Sequence, residues 1–177
     1  MPDEAKEFDR RIEMKRLLNL FAATLLVLVF SPVLSASEPD KPGTKLITIQ
    51  GGYGPGIGGL LSGNIAMTNL GSMHLYGGLQ AGGYFRHGKV MNTNKIDLSL
   101  APRVMLGLNL GRVVELHAGG LAGIAAQRFD EAQSKLVFHY GGFGGLRLQF
   151  TPSFGLVLEG CYSPQLPYGL AGFAIKF

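Results

Sequence analysis

From residue 45 to the end of the chain, apolar residues recur at every second position, and no stretch shows the three-and-four spacing of an amphipathic helix. The clearest run covers residues 95–110. Ile96, Leu98, Leu100, Pro102, Val104, Leu106, Leu108 and Leu110 fall on one face; Lys95, Asp97, Ser99, Ala101, Arg103, Met105, Gly107 and Asn109 fall on the other. Strands of soluble domains typically hold about 5–6 residues. A tilted strand needs about 9–11 to cross a bilayer, and this run exceeds both.

The same division can be made in residues 45–53, 59–69, 73–86, 113–127, 136–150, 154–162 and 168–177, which predicts eight strands in all. The apolar faces carry Ile47 and Ile49, Leu61 and Ile65, Leu75 and Leu79, Leu116 and Ile124, Phe138 and Leu146, Leu156 and Leu158, and Phe173 and Ile175. These faces carry essentially no charge, and the opposite faces hold Asp97, Arg103, Glu115, Arg147, Glu159 and Lys176. Tyr168 is placed on that polar side of the last strand. A soluble eight-stranded barrel would turn the apolar face inward, yet an interior of this size has no room for so many leucines. Lipid outside and polar groups inside is the consistent assignment. Closure is expected too, because a sheet edge in lipid leaves backbone groups unpaired at several kcal/mol each. Tight turns at 69–72, 110–112 and 151–153 alternate with links at 54–58, 87–94, 128–135 and 163–167. Phe85 and Phe138 near one end, with Phe150, Phe154 and Phe177 near the other, match interfacial aromatic girdles.

The first 36 residues read differently. Met14-Lys15-Arg16 is basic, 17–30 is almost wholly apolar, Ser31-Pro32 breaks the run and Leu34-Ser35-Ala36 offers a small residue for cleavage. That order is the layout of a secretory signal peptide. The polar, acidic stretch ahead of it points to Met14 as the true start. The expected organisation is therefore a cleavable signal peptide over 1–36, a short periplasmic segment over 37–44 and the barrel over 45–177. The 27 glycines among 177 residues are scattered among apolar neighbours, with no collagen period and no linker composition. A net charge of +4, spread thinly, gives no nucleic-acid footprint. The lone Cys161 cannot form an internal disulfide and reads as a small buried residue.

With its export signal, its eight amphipathic strands and the ending Gly-Leu-Ala-Gly-Phe-Ala-Ile-Lys-Phe, the chain resembles the small outer-membrane barrels of the OmpA, OmpX and OmpW type. The Thr-Pro-Ser-Phe-Gly turn at 151–155 is also similar to those families. The resemblance implies an all-β, closed, eight-stranded antiparallel transmembrane barrel in the bacterial outer membrane, among its lipids. It also implies that Phe173, Ile175 and Phe177 form the terminal signal read by the outer-membrane assembly machinery.

Two groups of inward residues carry what chemistry the sequence offers. Arg147 should bridge Glu115 and Glu159 on adjacent strands, with Arg103, His117 and Lys176 nearby, as an interior charge network. Gly78, Gly82, Gly119, Gly123, Gly141 and Gly145, beside Tyr84, Leu121 and Phe143, would leave a lumen pocket if the bare backbone is not filled by neighbours; otherwise they relieve crowding. An arginine between two carboxylates keeps both ionised and works against a general acid. His74, His117 and His139 sit on different strands without metal-ligand spacing, so no metal or cofactor is expected. The expected role is structural or surface-interacting and not enzymatic, with loops 87–94 and 128–135 as contacts for an extracellular partner. The alternative is a narrow channel or binding barrel for small hydrophobic molecules, as the OmpW resemblance implies. A lipid-modifying outer-membrane enzyme stands third.

Overall fold

The computed structural model describes residues 40–88, 93–111, 113–129 and 134–177. The predicted signal peptide with Met14, and residues 89–92 and 130–133 of the two predicted contact loops, lie outside the described residues.

Eight strands follow one another: β1 (Lys45–Tyr53), β2 (Gly56–Leu70), β3 (Met73–Gly88), β4 (Thr93–Leu110), β5 (Val114–Phe129), β6 (Lys135–Thr151), β7 (Phe154–Tyr162) and β8 (Gly169–Lys176). Each pairs antiparallel with its neighbours in sequence, and the order returns to its start where β8 pairs with β1 from Tyr53↔Gly169 to Leu46↔Lys176. The result is a ring of eight antiparallel strands. Its lower end holds the β2–β3, β4–β5 and β6–β7 turns, and its upper end the remaining links.

Glycine sets two of the lower turns. Gly71 (φ 77°) and Gly111 (φ 82°) adopt the left-handed conformation that side chains with a Cβ disfavour. Just before β1, the chain turns at Lys41–Gly43: Thr44 N donates to Lys41 O at 3.0 Å, Gly43 (φ 92°) N donates to Ala66 O at 2.8 Å, and Asp40 is brought under the lower end. Most strands run slightly beyond the expected bounds. At the upper end β2 begins at Gly56, because Tyr53↔Ile57 and Gly52↔Gly58 continue the ladder; the β1–β2 link is Gly54–Pro55 rather than 54–58.

Alternation determines what each strand presents. Ile49, Leu61, Leu79, Leu98, Leu100, Ile124 and Leu136 are all at least half exposed on the outer face, whereas Arg103, Asp97, His74 and His139 are buried inside. Leu148 lies on the outer face but is covered, flanked across the ladders by Val114 and Leu156. The placement of Tyr168 on an inward face needs correction. It precedes β8 and is 60% exposed, because the chain between β7 and β8 turns into the barrel at Leu166 and Pro167 and leaves it on the way out. Leu46, Leu60, Ala66, Tyr76, Ala101, Met105, Leu121, Phe143, Leu166 and Leu170 pack together as a core within the ring.

Candidate functional site

Among the described residues the buried charged side chains and histidines cluster at a lower, a middle and an upper level, and a neutral chain of Thr48, Ser62 and Asn64 (2.7 and 3.1 Å) lies beside them. In the lower group, Glu115 and Arg147 are direct cross-strand partners, and Arg147 Nη2 donates to Glu115 Oε2. The same nitrogen lies 3.0 Å from the Tyr76 hydroxyl and 3.2 Å from Asp40 Oδ2. Tyr76 in turn donates to Asp40 Oδ2, and Lys176 Nζ reaches Asp40 Oδ1 at 2.6 Å. Asp40 is absent from the predicted network, since strand alternation says nothing about a residue before the first strand. Its one local mark is the Lys41-Pro42-Gly43 turn that folds it back. Burial by itself would favour its neutral form. The Arg147 charge and the hydrogen bonds from Lys176 and Tyr76 outweigh that and hold the Asp40 carboxyl below the usual carboxylate range.

The middle group corrects the expected Glu115–Arg147–Glu159 cluster. Glu159 Oε1 bonds to Arg103 Nη2 at 3.1 Å and to His117 Nε2 at 3.1 Å, not to Arg147. Register is the reason: Arg147 stands opposite Val157 on β7, and Glu159 stands opposite Gly145. Strands β4 and β7 are not neighbours, so the Arg103–Glu159 pair crosses the lumen. The Arg103 guanidinium also lies 3.9 Å from the centre of the Phe143 ring, a cation–π contact on a desolvated charge. Lys176 belongs to the lower group and Arg103 and His117 to the middle one, so the six predicted network residues divide between two assemblies.

At the upper level the strand pattern places Lys95 and Asp97 on the inward face but does not say which groups they meet. Asp97, fully buried, takes Arg86 Nη2 at 2.6 Å and Lys95 Nζ at 3.3 Å. On the other side of the ring His139 Nδ1 lies 3.0 Å from Gln165 Oε1 and 3.4 Å from Ser163 Oγ. An amide oxygen only accepts, so Nδ1 is the donor in the bond to Gln165. That pairing ties β6 to the link between β7 and β8.

The glycine belt is occupied by its neighbours. A Cβ at Gly78 would meet Asn64 Oδ1 at 2.7 Å, at Gly82 Leu166 Cδ2 at 2.9 Å, at Gly119 Phe143 Cζ at 2.5 Å, and at Gly123 Ala101 Cβ at 2.7 Å. At Gly141 it would meet Ser163 Cβ at 2.8 Å, and at Gly145 Glu159 Cα at 2.9 Å. Tyr84, Leu121 and Phe143 are buried around them. These glycines make room for side chains and close strands, which is the crowding-relief alternative rather than the lumen pocket. Lower down, cavities of about 10 Å³ lie among the polar side chains. One lies beside Asp40, Glu115, Arg147 and Lys176, another among Thr48, Asn64, Arg103, His117, Arg147 and Glu159. Each is about the space of one water. Among the described residues no three His, Cys, Asp or Glu side chains are grouped to hold a metal. Phe173 and Ile175 are exposed on the outer face of β8; Phe177, also exposed, pairs its backbone with Lys45 at 2.8 and 3.0 Å.

No family model and no curated protein matches the sequence. Among solved structures, the chain is similar to one described as a de novo design of transmembrane beta-barrels, with a TM-score of 0.50 and 14% identity, over 79% of this chain and all of that one. At that identity the likeness is of fold: eight antiparallel strands in a ring.

Proposed function

We propose that this chain is a membrane-spanning β-barrel of the bacterial outer membrane, with a structural or surface-interacting role and no catalytic activity. One observation carries the reading: the distribution of polarity is inverted relative to a soluble barrel. Leucines and isoleucines at least half exposed ring the outside, while Arg103, Asp97, Arg147 and Glu159 are buried. In water an apolar surface of that extent would drive association; in lipid it is the favoured solvent-facing surface. The solved structure that resembles the chain is described as a transmembrane barrel, which agrees with this reading. The outer membrane, the cleaved leader and delivery by the assembly machinery through Phe173, Ile175 and Phe177 are the finer parts of the proposal. Exposed Tyr53, Phe138 and Tyr140 near the upper end, and Phe154, Phe173 and Phe177 near the lower end, support two interfacial girdles.

The structural role is favoured over a channel because buried polar clusters and an apolar core occupy the interior, and the cavities beside Asp40 and beside Arg103 and Glu159 each hold about one water. Refolding into lipid vesicles tests both statements. Unboiled protein should migrate differently from boiled protein in detergent gels, and planar bilayers should show no steady single-channel steps. Identical migration would sink the barrel; regular conductance steps would restore the channel.

A further inference from the structure

The segment between β7 and β8 behaves unlike an ordinary surface link. Its tip is apolar, and Leu166 has no exposed surface at all. Ser163 and Gln165 are buried as well, and Tyr168 emerges. Three strands offer bare backbone where the tip sits. Pro167 occupies the space a Cβ would need at Gly52 (3.0 Å) on β1 and at Gly58 (2.9 Å) on β2; Leu166 fills that at Gly82 (2.9 Å) on β3. Ser163 does the same at Gly141 (2.8 Å) on β6. Four inward glycines thus form a seat for one loop.

How the seat is fastened differs from the two groups below it. There, formal charges are joined across the ring: Arg103 with Glu159, and Lys176 and Arg147 with Asp40. The loop carries no charged side chain: it is tied to the ring by His139–Gln165 at 3.0 Å and His139–Ser163 at 3.4 Å, and by the backbone bond from Cys161 N to Tyr168 O at 2.8 Å at its base, while two Ser163–Gln165 bonds at 3.4 Å lie within the loop itself. Hydrogen bonds between neutral groups are weaker than charge-assisted ones, and the weakest-held parts of a fold open first.

We propose that Ser163–Tyr168 is a removable plug: a segment that leaves and re-enters its glycine seat at the upper mouth while the ion-paired lower and middle groups stay closed. The fold therefore contains one gate and, beneath it, a fixed floor. The inference rests on the membrane reading only in making the upper mouth the water-accessible end. A barrel that does not insert fails that reading, whereas an inserted barrel with an immobile loop fails this one.

Gly82 supplies a direct test. The nearest atoms a Cβ there would meet are side-chain atoms of Leu166, Ser99 and Leu60, whereas at Gly52, Gly58 and Gly141 it would also strike backbone. Gly82→Leu should therefore fill the seat from β3 and displace the loop without breaking a strand. The reporter is Leu166→Cys in a Cys161→Ala background, reconstituted in vesicles and treated with a water-soluble maleimide. Val157→Cys, 2% exposed beside Arg103 and Glu159 in the second cavity, is the floor control. The thiol at 166 should label at least about tenfold faster than that at 157, and Gly82→Leu should accelerate only the former, again by about tenfold. Equal protection at both positions, or no response to Gly82→Leu, would overturn the plug. If a variant does not fold, hydrogen exchange of the wild-type barrel decides: the amides of Ser163, Gln165, Leu166 and Tyr168 should exchange ahead of those of β7 and β8, and equal protection would overturn the proposal.

Discussion

Asp40 joins the segment before β1 to two strands on other parts of the ring, through Lys176 on β8 and Arg147 on β6. Its lowered pKa makes the lower end sensitive to acid, with a definite sign. Because the folded carboxyl is the stronger acid, its stabilisation is complete well above the ordinary value of 3.8 and disappears as the pH falls through the lower folded value. Asp40→Asn should cost about 1.5–3 kcal/mol near neutral pH, the range for hydrogen bonds to charged groups. Urea unfolding in vesicles should show the gap to wild type closing as the pH falls below the ordinary 3.8 and through the lowered folded value; a gap independent of pH would exclude a stabilising role for the ionised Asp40. The middle pair obeys a different rule. Glu159→Leu alone leaves Arg103 buried without its carboxylate and should cost about 3–5 kcal/mol, while Arg103→Met with Glu159→Leu should recover most of that. Additive losses in this cycle would contradict a coupled pair. Alternation identified both residues as inward. It could not identify them as partners, since that depends on two strands that never touch in the ladder.

Strands were the most legible part of the chain because period two is a local property. Each strand shows its apolar face whether or not its neighbours are known, so β1 and β7 have the expected bounds. Register belongs to pairs of strands, and a two-residue offset along β7 separated Glu159 from Arg147. The β7–β8 link was illegible for a related reason. Leu166-Pro167 between turn residues reads as a surface loop until the glycines it sits against, on β1, β2 and β3, are brought beside it. The two faces of the β2–β3 pair make the filling of the interior testable. A Cβ added at Gly63, on the outside of β2, has nothing within 4 Å, whereas at Gly78 on β3 it would strike Asn64 Cα at 2.8 Å. Gly63→Ala should change stability by less than about 0.5 kcal/mol. Gly78→Ala should cost about 1–3 kcal/mol through overpacking. Equal effects in the same vesicle unfolding assay would mean the interior is less tightly filled than described.

At the scale of the whole barrel, the decisive quantity is what solvent the outer face meets. Leu100, 52% exposed near the middle of β4, and Leu110, 51% exposed at the lower end of the same strand, differ in height and hardly at all in burial. If water surrounds the ring, arginine at either position is a surface substitution and should shift stability by no more than about 0.5 kcal/mol. A bilayer breaks that equivalence. Leu100→Arg would place a guanidinium near the midplane and should cost about 2–4 kcal/mol, while Leu110→Arg near the interface should cost about 0–1 kcal/mol. Contributions common to both variants, such as lost leucine contacts and strand propensity, largely cancel because both changes are made on one face of one strand. Folding equilibria in vesicles supply the values, and the same variants in detergent micelles supply a control in which depth is blurred. A gradient from β4 centre to β4 end, present in bilayers and reduced in micelles, is what a spanning barrel requires. Equal costs at the two heights would leave the inverted polarity without a membrane to explain it.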